Sequence, residues 1–275
     1  MSWRSQKNAL IIKYNWMTNR KLFLNQMLDI GGIASIHNFY SAKASTYKGS
    51  LLQADKYFKE WQRVGIIREV PFDQIIRNKR REVFYCLTPK GADSIGRKPE
   101  YKYKDPKALN NALHESAKFD IALAFLRNYP AHIINIDYTK SYSGLRPDIV
   151  VTMSDMNDKK QVFLVEIERK KTVDRVVNEK IGRYENIITP LIKNGALPKN
   201  TQILFLYSNF YWNVYLRPQE YGHYDKMLSF QYAQLGHLIK KVAYLPEYYK
   251  FAIFPDFYRL NQNIWLSPSG KKSYI

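Results

Sequence analysis

Three acidic residues stand at the ends of two apolar runs in the middle of the chain. Asp148 precedes the run 149–151, and Glu166 and Glu168 follow the run 162–165. A strand points alternate side chains to opposite faces, so the two glutamates share a face, and a hairpin would bring Asp148 to them. Clustered carboxylates repel each other unless a cation neutralises them, and hard oxygen ligands suit Mg²⁺ or Mn²⁺. The pattern therefore predicts a metal site of the kind that supports phosphodiester hydrolysis.

Each piece of this pattern also has a purely structural interpretation. A Pro-Asp pair such as Pro147-Asp148 often only begins a strand. Acidic side chains at a strand end often form a solvated edge whose charges deter aggregation. The presence of both pieces in this order, with a helix predicted before and after them, favours the metal site.

Two lysines could add positive charge beside the carboxylates. A helix is predicted over residues 172–188 with Thr172 as its N-cap, and Lys180 lies at the edge of its sheet-facing stripe. Lys180 could reach the carboxylates, or it could lie with its aliphatic stem along the sheet and its charge in water. Lys170 is a second candidate, on the strand face of the two glutamates but further along.

The elements around these residues follow the order helix, three strands, helix, strand. We expect a helix over residues 110–129, strands over 132–138, 147–153 and 161–168, the helix 172–188, and a strand over 202–207. This order and the acidic residues resemble the core of PD-(D/E)xK nucleases. The usual lysine of that fold stands where this chain has Glu168. The resemblance implies that Glu115, on the first helix, adds a metal carboxylate, with its neighbour His114 as the alternative.

The first third of the chain carries a different pattern. Helices are predicted over residues 21–30, 33–39 and 48–64, then strands over 66–70 and 82–87, and Thr88-Pro89 opens a last helix. The expected core stripe of the third helix is Leu51, Leu52, Tyr57, Phe58, Trp61 and Val64. Three helices, a basic hairpin and the closing L-T-P-K-G run resemble a winged helix-turn-helix domain.

In such domains the third helix enters the major groove, and the hairpin contacts the DNA backbone or the minor groove. The base-reading candidates are Lys43, Thr46, Tyr47 and Lys48. The phosphate-binding candidates, at the hairpin tip, are Arg77, Lys79, Arg80 and Arg81. The alternative is a protein-interaction domain whose basic run is a solvated loop, but four cations at one tip favour DNA.

The overall charge points to the same kind of partner. The 275 residues carry a formal net charge of +19, which indicates a polyanionic partner, most simply nucleic acid, with an anionic membrane surface as the alternative. No apolar run approaches the ~20 residues that a membrane span needs, so we expect no membrane partner. The single cysteine, Cys86, excludes an internal disulfide and fits a cytoplasmic location.

We therefore expect an α/β (α+β) chain of two domains. Residues 1–97 would form the winged helix-turn-helix domain, 98–108 a linker, and 109–275 a PD-(D/E)xK restriction-endonuclease-like mixed sheet flanked by helices, with a tyrosine-rich C-terminal extension. Five features occur along the chain: the winged helix, His114-Glu115, R-P-D, F-L-x-E-I-E-R-x-x-T and K-I-x-x-Y. Together they resemble the replication-relaxation family of plasmids and mobile elements over about residues 20–207. That family usually has aspartate at position 168 and Gly-Thr at positions 171 and 172.

The resemblance implies DNA binding linked to replication or mobilisation, with DNA, other replication or mobilisation proteins and a second copy of the chain as partners. In one hypothesis the protein is a Mg- or Mn-dependent endonuclease, a nickase. Its metal would be held by Asp148, Glu166, Glu168 and Glu115, with Lys180 assisting. In the other it is a non-catalytic replication, partition or transcription factor with a degenerate nuclease fold.

The tyrosines of residues 207–258 are expected to be core, with a stacking surface for unpaired bases as the alternative.

Overall fold

The structure is a computed structural model, and it divides into two compact units, residues 1–123 and 124–275. The ranges that it describes are 23–25, 27–28, 33–36, 51–70, 83–98, 109–129, 131–138, 140–154, 159–169, 172–208, 224–253 and 260–275. The predicted linker lies almost wholly outside them. The division between the units falls inside a helix, Leu109–Asn128.

A small antiparallel sheet organises the first unit. The elements in chain order are β1 (Ile33–Ser35), α1 (Leu51–Arg63), β2 (Ile67–Glu69), β3 (Phe84–Leu87) and α2 (Pro89–Ser94). The sheet order is β1-β3-β2. Its core is aromatic: Phe58 stacks edge-on against Tyr85, with ring centroids 5.0 Å apart, and lies beside Trp61 at 5.4 Å. The predicted helix 48–64 and the two predicted strands are therefore found, within the described residues.

Two predictions for this unit are wrong. The sequence predicts that residues 33–35 begin a helix, but they form β1, which pairs with β3 through Ile33↔Cys86 and Ser35↔Phe84. A stretch of three residues is too short to show a period that separates helix from strand, so its pairing decides its structure. Val64 is 38% exposed rather than part of the core stripe. The chain has left α1 by then and turns at Gly65, whose φ is 75°.

The L-T-P-K-G junction fixes α2 against the start of β2. Thr88 caps the helix as expected, because its Oγ1 accepts a 3.0 Å hydrogen bond from the Gly91 N–H. The same hydroxyl lies 2.6 Å from the Gly65 carbonyl oxygen, to which it donates. A Cβ at Gly91 would stand 2.1 Å from the Ile66 carbonyl oxygen, so the backbones can approach this closely only at glycine.

A seven-stranded mixed sheet forms the second unit, which begins in the last turns of α3 (Leu109–Asn128). Its strands are β4 (Ile133–Asp137), β5 (Ile149–Ser154), β6 (Lys160–Arg169), β7 (Gln202–Ser208), β8 (Tyr249–Ile253), β9 (Trp265–Leu266) and β10 (Lys272–Ser273). They lie in the order β10-β9-β8-β7-β6-β5-β4. The β6, β7 and β8 pairs are parallel, and the outer pairs are antiparallel. The four predicted strands are thus confirmed as β4 to β7.

Helices provide the two crossovers between the parallel strands. Helix α4 joins β6 to β7 and consists of Val173–Arg175, a π-helical segment Val176–Ile181, and Gly182–Lys193. Helix α5 (Tyr224–Lys241) precedes β8. Within the described chain, no helix combines the length and apolar character that crossing a bilayer requires.

Strand β6 is buried on both faces, which explains its continuous apolar run. Val162 and Leu164 belong to a core that includes residues of α4 and α5. Phe163 points the other way and packs on Phe125 of α3, with ring centroids 5.9 Å apart. A strand covered on both sides has no solvated face to alternate with, so any charged residue on it must find a partner inside the protein.

Candidate carboxylate and lysine site

Asp148 reaches β6 immediately beyond the antiparallel ladder. The last residue pair of β5 and β6 is Ile149↔Val165. One residue before β5, Asp148 Oδ2 accepts a 2.8 Å hydrogen bond from the backbone N–H of Ile167. Ile167 lies between Glu166 and Glu168, so the aspartate carboxylate is tied to the same short piece of β6 that carries both glutamates.

The two glutamates are almost completely enclosed. Glu166 is 1% exposed and Glu168 is 2% exposed. They follow Val162 and Leu164 at intervals of two residues, so they extend the sheet face that α4 covers. An ionised carboxylate in such a place is stable only when it is paired or hydrogen-bonded.

Lys180 supplies that partner from the π-helical segment of α4. Its Nζ lies 2.5 Å from Glu166 Oε2 and 3.3 Å from Glu168 Oε1, and its side chain is 24% exposed. The ammonium group therefore bridges the two carboxylates. Thr172, the predicted N-cap, orients the start of the helix because its Oγ1 accepts a 3.4 Å hydrogen bond from the Arg175 N–H. Single π-helical turns inside α-helices frequently occur at functional sites.

Tyr184, one turn after Lys180, completes the contacts of Glu166. Its hydroxyl donates a 2.8 Å hydrogen bond to Glu166 Oε1. The phenol ring is fully buried and packs edge-on against Phe205, with ring centroids 5.8 Å apart. Both oxygens of Glu166 are thus held from α4, one by an ammonium group and one by a hydroxyl group.

The local electrostatics follow from burial and from three nearby acids. Burial, followed by the Asp148 charge, raises the pKa of Glu166 to about 8 against the opposing effects of Lys180 and Tyr184. Burial by itself would lower the pKa of Lys180, but the charges of Glu166, Asp148 and Glu168 raise it above its usual value. Burial thus opposes the ionisation of Glu166, and the three neighbouring acids keep the Lys180 ammonium group charged.

The other predicted site residues fall into two groups. Glu115 is buried on α3 in the first unit, where its Oε1 accepts a 3.0 Å hydrogen bond from Lys118 Nζ, whereas His114 is half-buried. The remaining candidates lie outside the described residues: Lys43, Thr46, Tyr47, Lys48, Arg77, Lys79, Arg80, Arg81 and Lys170. The structure thus brings together Asp148, Glu166, Glu168 and Lys180 in the second unit.

The sequence did not identify Tyr184 as part of this site. Its signal was the spacing of four residues from Lys180, which places both side chains on one side of a helix. Burial and Glu166 together hold the pKa of Tyr184 well above its usual value, so the phenol is a hydrogen-bond donor and unsuited to act as a nucleophile. Tyr249 is likewise buried, and it donates a 2.6 Å hydrogen bond to Glu185. Among the described tyrosines of residues 207–258, Tyr207 and Tyr249 belong to the core as expected, whereas Tyr232 and Tyr244 are 47% and 66% exposed, so the expectation is wrong for those two.

The donor set fits a hard divalent cation in its chemistry. Asp148, Glu166 and Glu168 offer carboxylate oxygens, which Mg²⁺ and Mn²⁺ prefer. Among the described residues, however, no group of three or more His, Cys, Asp or Glu side chains is arranged to hold a metal ion. The bridging position of Lys180 gives a physical reason, since the ammonium group lies where a cation would contact both glutamates.

The site thus consists of a half-buried lysine beside three carboxylates at the end of a mixed sheet. Comparisons with known proteins give no relative whose site could be set beside it. No family model, no curated protein and no solved structure matches the chain.

Proposed function

We propose that the chain is a DNA-binding protein of a plasmid or mobile element whose second unit nicks or holds DNA with the help of a divalent cation during replication or mobilisation. One observation carries the proposal: Asp148 directly before β5, Glu166 and Glu168 on β6, and Lys180 on α4 meet at one strand end. Buried charge of this density is costly for folding, so a functional role is the simplest reason for it.

Each residue has a role in the active form of this proposal. Asp148, Glu166 and Glu168 of the second unit would hold Mg²⁺ or Mn²⁺, and a metal role for Glu115 stays a prediction from the resemblance to PD-(D/E)xK nucleases. Such an ion, when bound, activates water and neutralises charge on a phosphodiester. Lys180 carries the positive charge that can orient the phosphate, and Tyr184 keeps Glu166 in place.

The first unit supports the DNA-binding half of the proposal. A three-stranded sheet in the order β1-β3-β2, with α1 before β2 and a hairpin formed by β2 and β3, is compatible with a winged helix-turn-helix domain. The candidate DNA contacts are predictions from the sequence. They lie at the basic hairpin tip and at the start of the third predicted helix. The net charge of +19 agrees with a polyanionic partner.

The direct test of the active form is incubation of supercoiled plasmid with the protein and Mg²⁺ or Mn²⁺. We expect metal-dependent conversion to the nicked circle, and its loss in Asp148→Ala. Glu179→Gln is the matched control, because Glu179 precedes Lys180 on α4 but pairs with Arg175 and is far more exposed. Activity that persists in Asp148→Ala, or that needs no metal, would exclude this site as its source.

The alternative function is a non-catalytic replication, partition or transcription factor. The bridging Lys180 favours it, because a lysine can neutralise the glutamates without a metal. This hypothesis predicts DNA binding that is independent of metal, falls steeply with salt and is unaffected by Glu166→Ala.

Both functions require the basic hairpin tip. Reversing the charge of Arg80 and Arg81 to glutamate should weaken DNA binding and lower its salt dependence. The control is the same charge change at Lys199 and Lys271, two exposed lysines of the second unit. Equal binding by the two double variants would remove the hairpin from the DNA-binding surface.

A further inference from the structure

Lys180 contacts both buried glutamates of this site. Its Nζ lies within 2.5 Å of Glu166 Oε2 and 3.3 Å of Glu168 Oε1. A divalent cation shared by these glutamates needs the same oxygens, and two cations cannot occupy one gap between two carboxylates without strong repulsion.

From this we infer that Lys180 is a resident counter-ion which a divalent cation must displace from the glutamates, so that metal binding releases the lysine ammonium group from them. The inference rests on the proposed function, because it concerns the same carboxylates. It goes beyond that function by making the lysine and the metal competitors rather than simultaneous occupants.

The surroundings of Lys180 favour such a movement over a permanent ion pair. The side chain is 24% exposed, while both glutamates are almost fully buried, so the ammonium group lies at the outer side of the pair. It arises from the π-helical segment of α4, where the wider turn departs from α-helical geometry. Tyr184 holds the other oxygen of Glu166 and does not depend on Lys180, so the carboxylate keeps one fixed contact when the lysine leaves.

Asp148 adds a third acid to the two glutamates that face Lys180. A divalent cation neutralises this group better than an ammonium ion does, because it brings twice the charge to the same oxygens. The lysine therefore stabilises the metal-free protein and limits, without abolishing, its affinity for the cation.

The first experiment measures Mn²⁺ binding to the full chain without DNA, by the electron paramagnetic resonance signal of free Mn²⁺. Lys180→Met should bind Mn²⁺ about tenfold more tightly than the parent, since the competing cation is gone. Lys193→Met is the matched control, an exposed lysine in the last turn of the same helix, and should bind as the parent does. Adding Glu166→Gln to Lys180→Met should abolish the gain.

Equal or weaker binding by Lys180→Met would overturn the inference, and so would a failure of Lys180→Met to bind Mn²⁺ at all. These results differ from a failure of the proposed function. A parent protein that binds Mn²⁺ but never nicks or binds DNA contradicts the function and leaves the competition intact.

A second experiment uses the parent protein, in case Lys180→Met does not fold. Acetic anhydride labels lysine amines according to their exposure and nucleophilicity, and mass spectrometry reads each site. We expect labelling of Lys180 to rise several-fold when Mn²⁺ is added, while Lys193 stays unchanged. Unchanged labelling of Lys180 at saturating Mn²⁺ would show that the lysine stays on the glutamates, and would overturn the inference.

Discussion

Asp148 Oδ2 accepts a hydrogen bond from the Ile167 backbone N–H at 2.8 Å, one residue beyond the end of the β5–β6 ladder. This contact continues the pairing of the two strands with a side chain in place of a backbone carbonyl. Because it anchors Asp148 between Glu166 and Glu168, it is both a structural link and the reason that three acids share one strand end.

The two roles of Asp148 can be separated by substitution. Asp148→Asn keeps a side-chain oxygen that can accept from the Ile167 N–H, so this variant should be as stable as the parent while losing Mn²⁺ affinity. Asp148→Ala leaves the N–H without this acceptor and should cost about 1 kcal/mol of unfolding free energy as well. Urea unfolding and Mn²⁺ titration of both variants check this, and equal Mn²⁺ affinity in Asp148→Asn and the parent would contradict it.

The pKa of Glu166 predicts how stability depends on pH in the absence of metal. Its value is about 8 in the folded protein against 4.5 for an ordinary glutamate, so between these pH values the folded state holds a proton that the unfolded state has released. Stability should therefore fall as pH rises from about 4.5 to about 8, by at most about 1.4 kcal/mol per pH unit. The raised pKa of Lys180 adds no slope in this window, because that lysine is charged in both states there.

Glu166→Gln should remove this slope. Urea unfolding of the parent and Glu166→Gln at pH 5, 6, 7 and 8, with a chelator present, gives the difference between the two proteins and cancels the other titrating groups. The unfolding free energy of the parent, relative to that of Glu166→Gln, should fall steadily with increasing pH. The unfolding free energy of Glu179→Gln should change with pH as that of the parent does. A constant difference between the parent and Glu166→Gln would refute the raised pKa.

Tyr184 is predicted to hold Glu166 by its hydroxyl group. Tyr184→Phe keeps the ring against Phe205 but removes the 2.8 Å hydrogen bond, and it should cost about 1–3 kcal/mol because the acceptor is a buried carboxylate. Tyr274→Phe, at an exposed ring, is the control and should cost nothing measurable. Chemical denaturation measures both, and a neutral Tyr184→Phe would mean that the hydroxyl does not stabilise Glu166.

Two glycines provide a test of the fold of each unit. Gly91→Ala would place a Cβ 2.1 Å from the Ile66 carbonyl oxygen, so we expect a loss of about 1–3 kcal/mol through forced backbone movement. Gly236→Ala, on α5 with nothing within 4 Å of the new Cβ, should be stabilising by roughly 0.5–1 kcal/mol through helix propensity. Thermal unfolding of both variants checks the sign, and a stable Gly91→Ala would contradict the close junction of α2 with β2.

Much of the second unit could be predicted because its signals are long or chemically distinct. The apolar runs around Asp148 and Glu166 are long enough to identify strands, and Thr172 marks the start of α4. The position of Lys180 on the sheet-facing side followed from helical spacing. The contact of Lys180 with both glutamates could not be predicted, because it depends on the π-helical segment. No residue pattern in 176–181 indicates that segment.

Short or tertiary features resisted prediction for a different reason. β1 is only three residues long, and it is a strand because β3 offers it a free edge. The hydrogen bond from Tyr184 to Glu166 joins residues 18 apart in sequence, and only the packing of α4 on β6 brings them together. The small strands β9 and β10 are similarly too brief to be predicted from composition, since each has two residues.

The most direct measurement is the anomalous scattering of Mn²⁺ in crystals of the protein soaked with that ion. We expect a manganese peak about 2.1 Å from carboxylate oxygens of Asp148 and Glu166, with Lys180 Nζ withdrawn from Glu166. A peak at other residues, or no peak while Lys180 still bridges the two glutamates, would contradict the metal site on which the proposed enzymatic function depends.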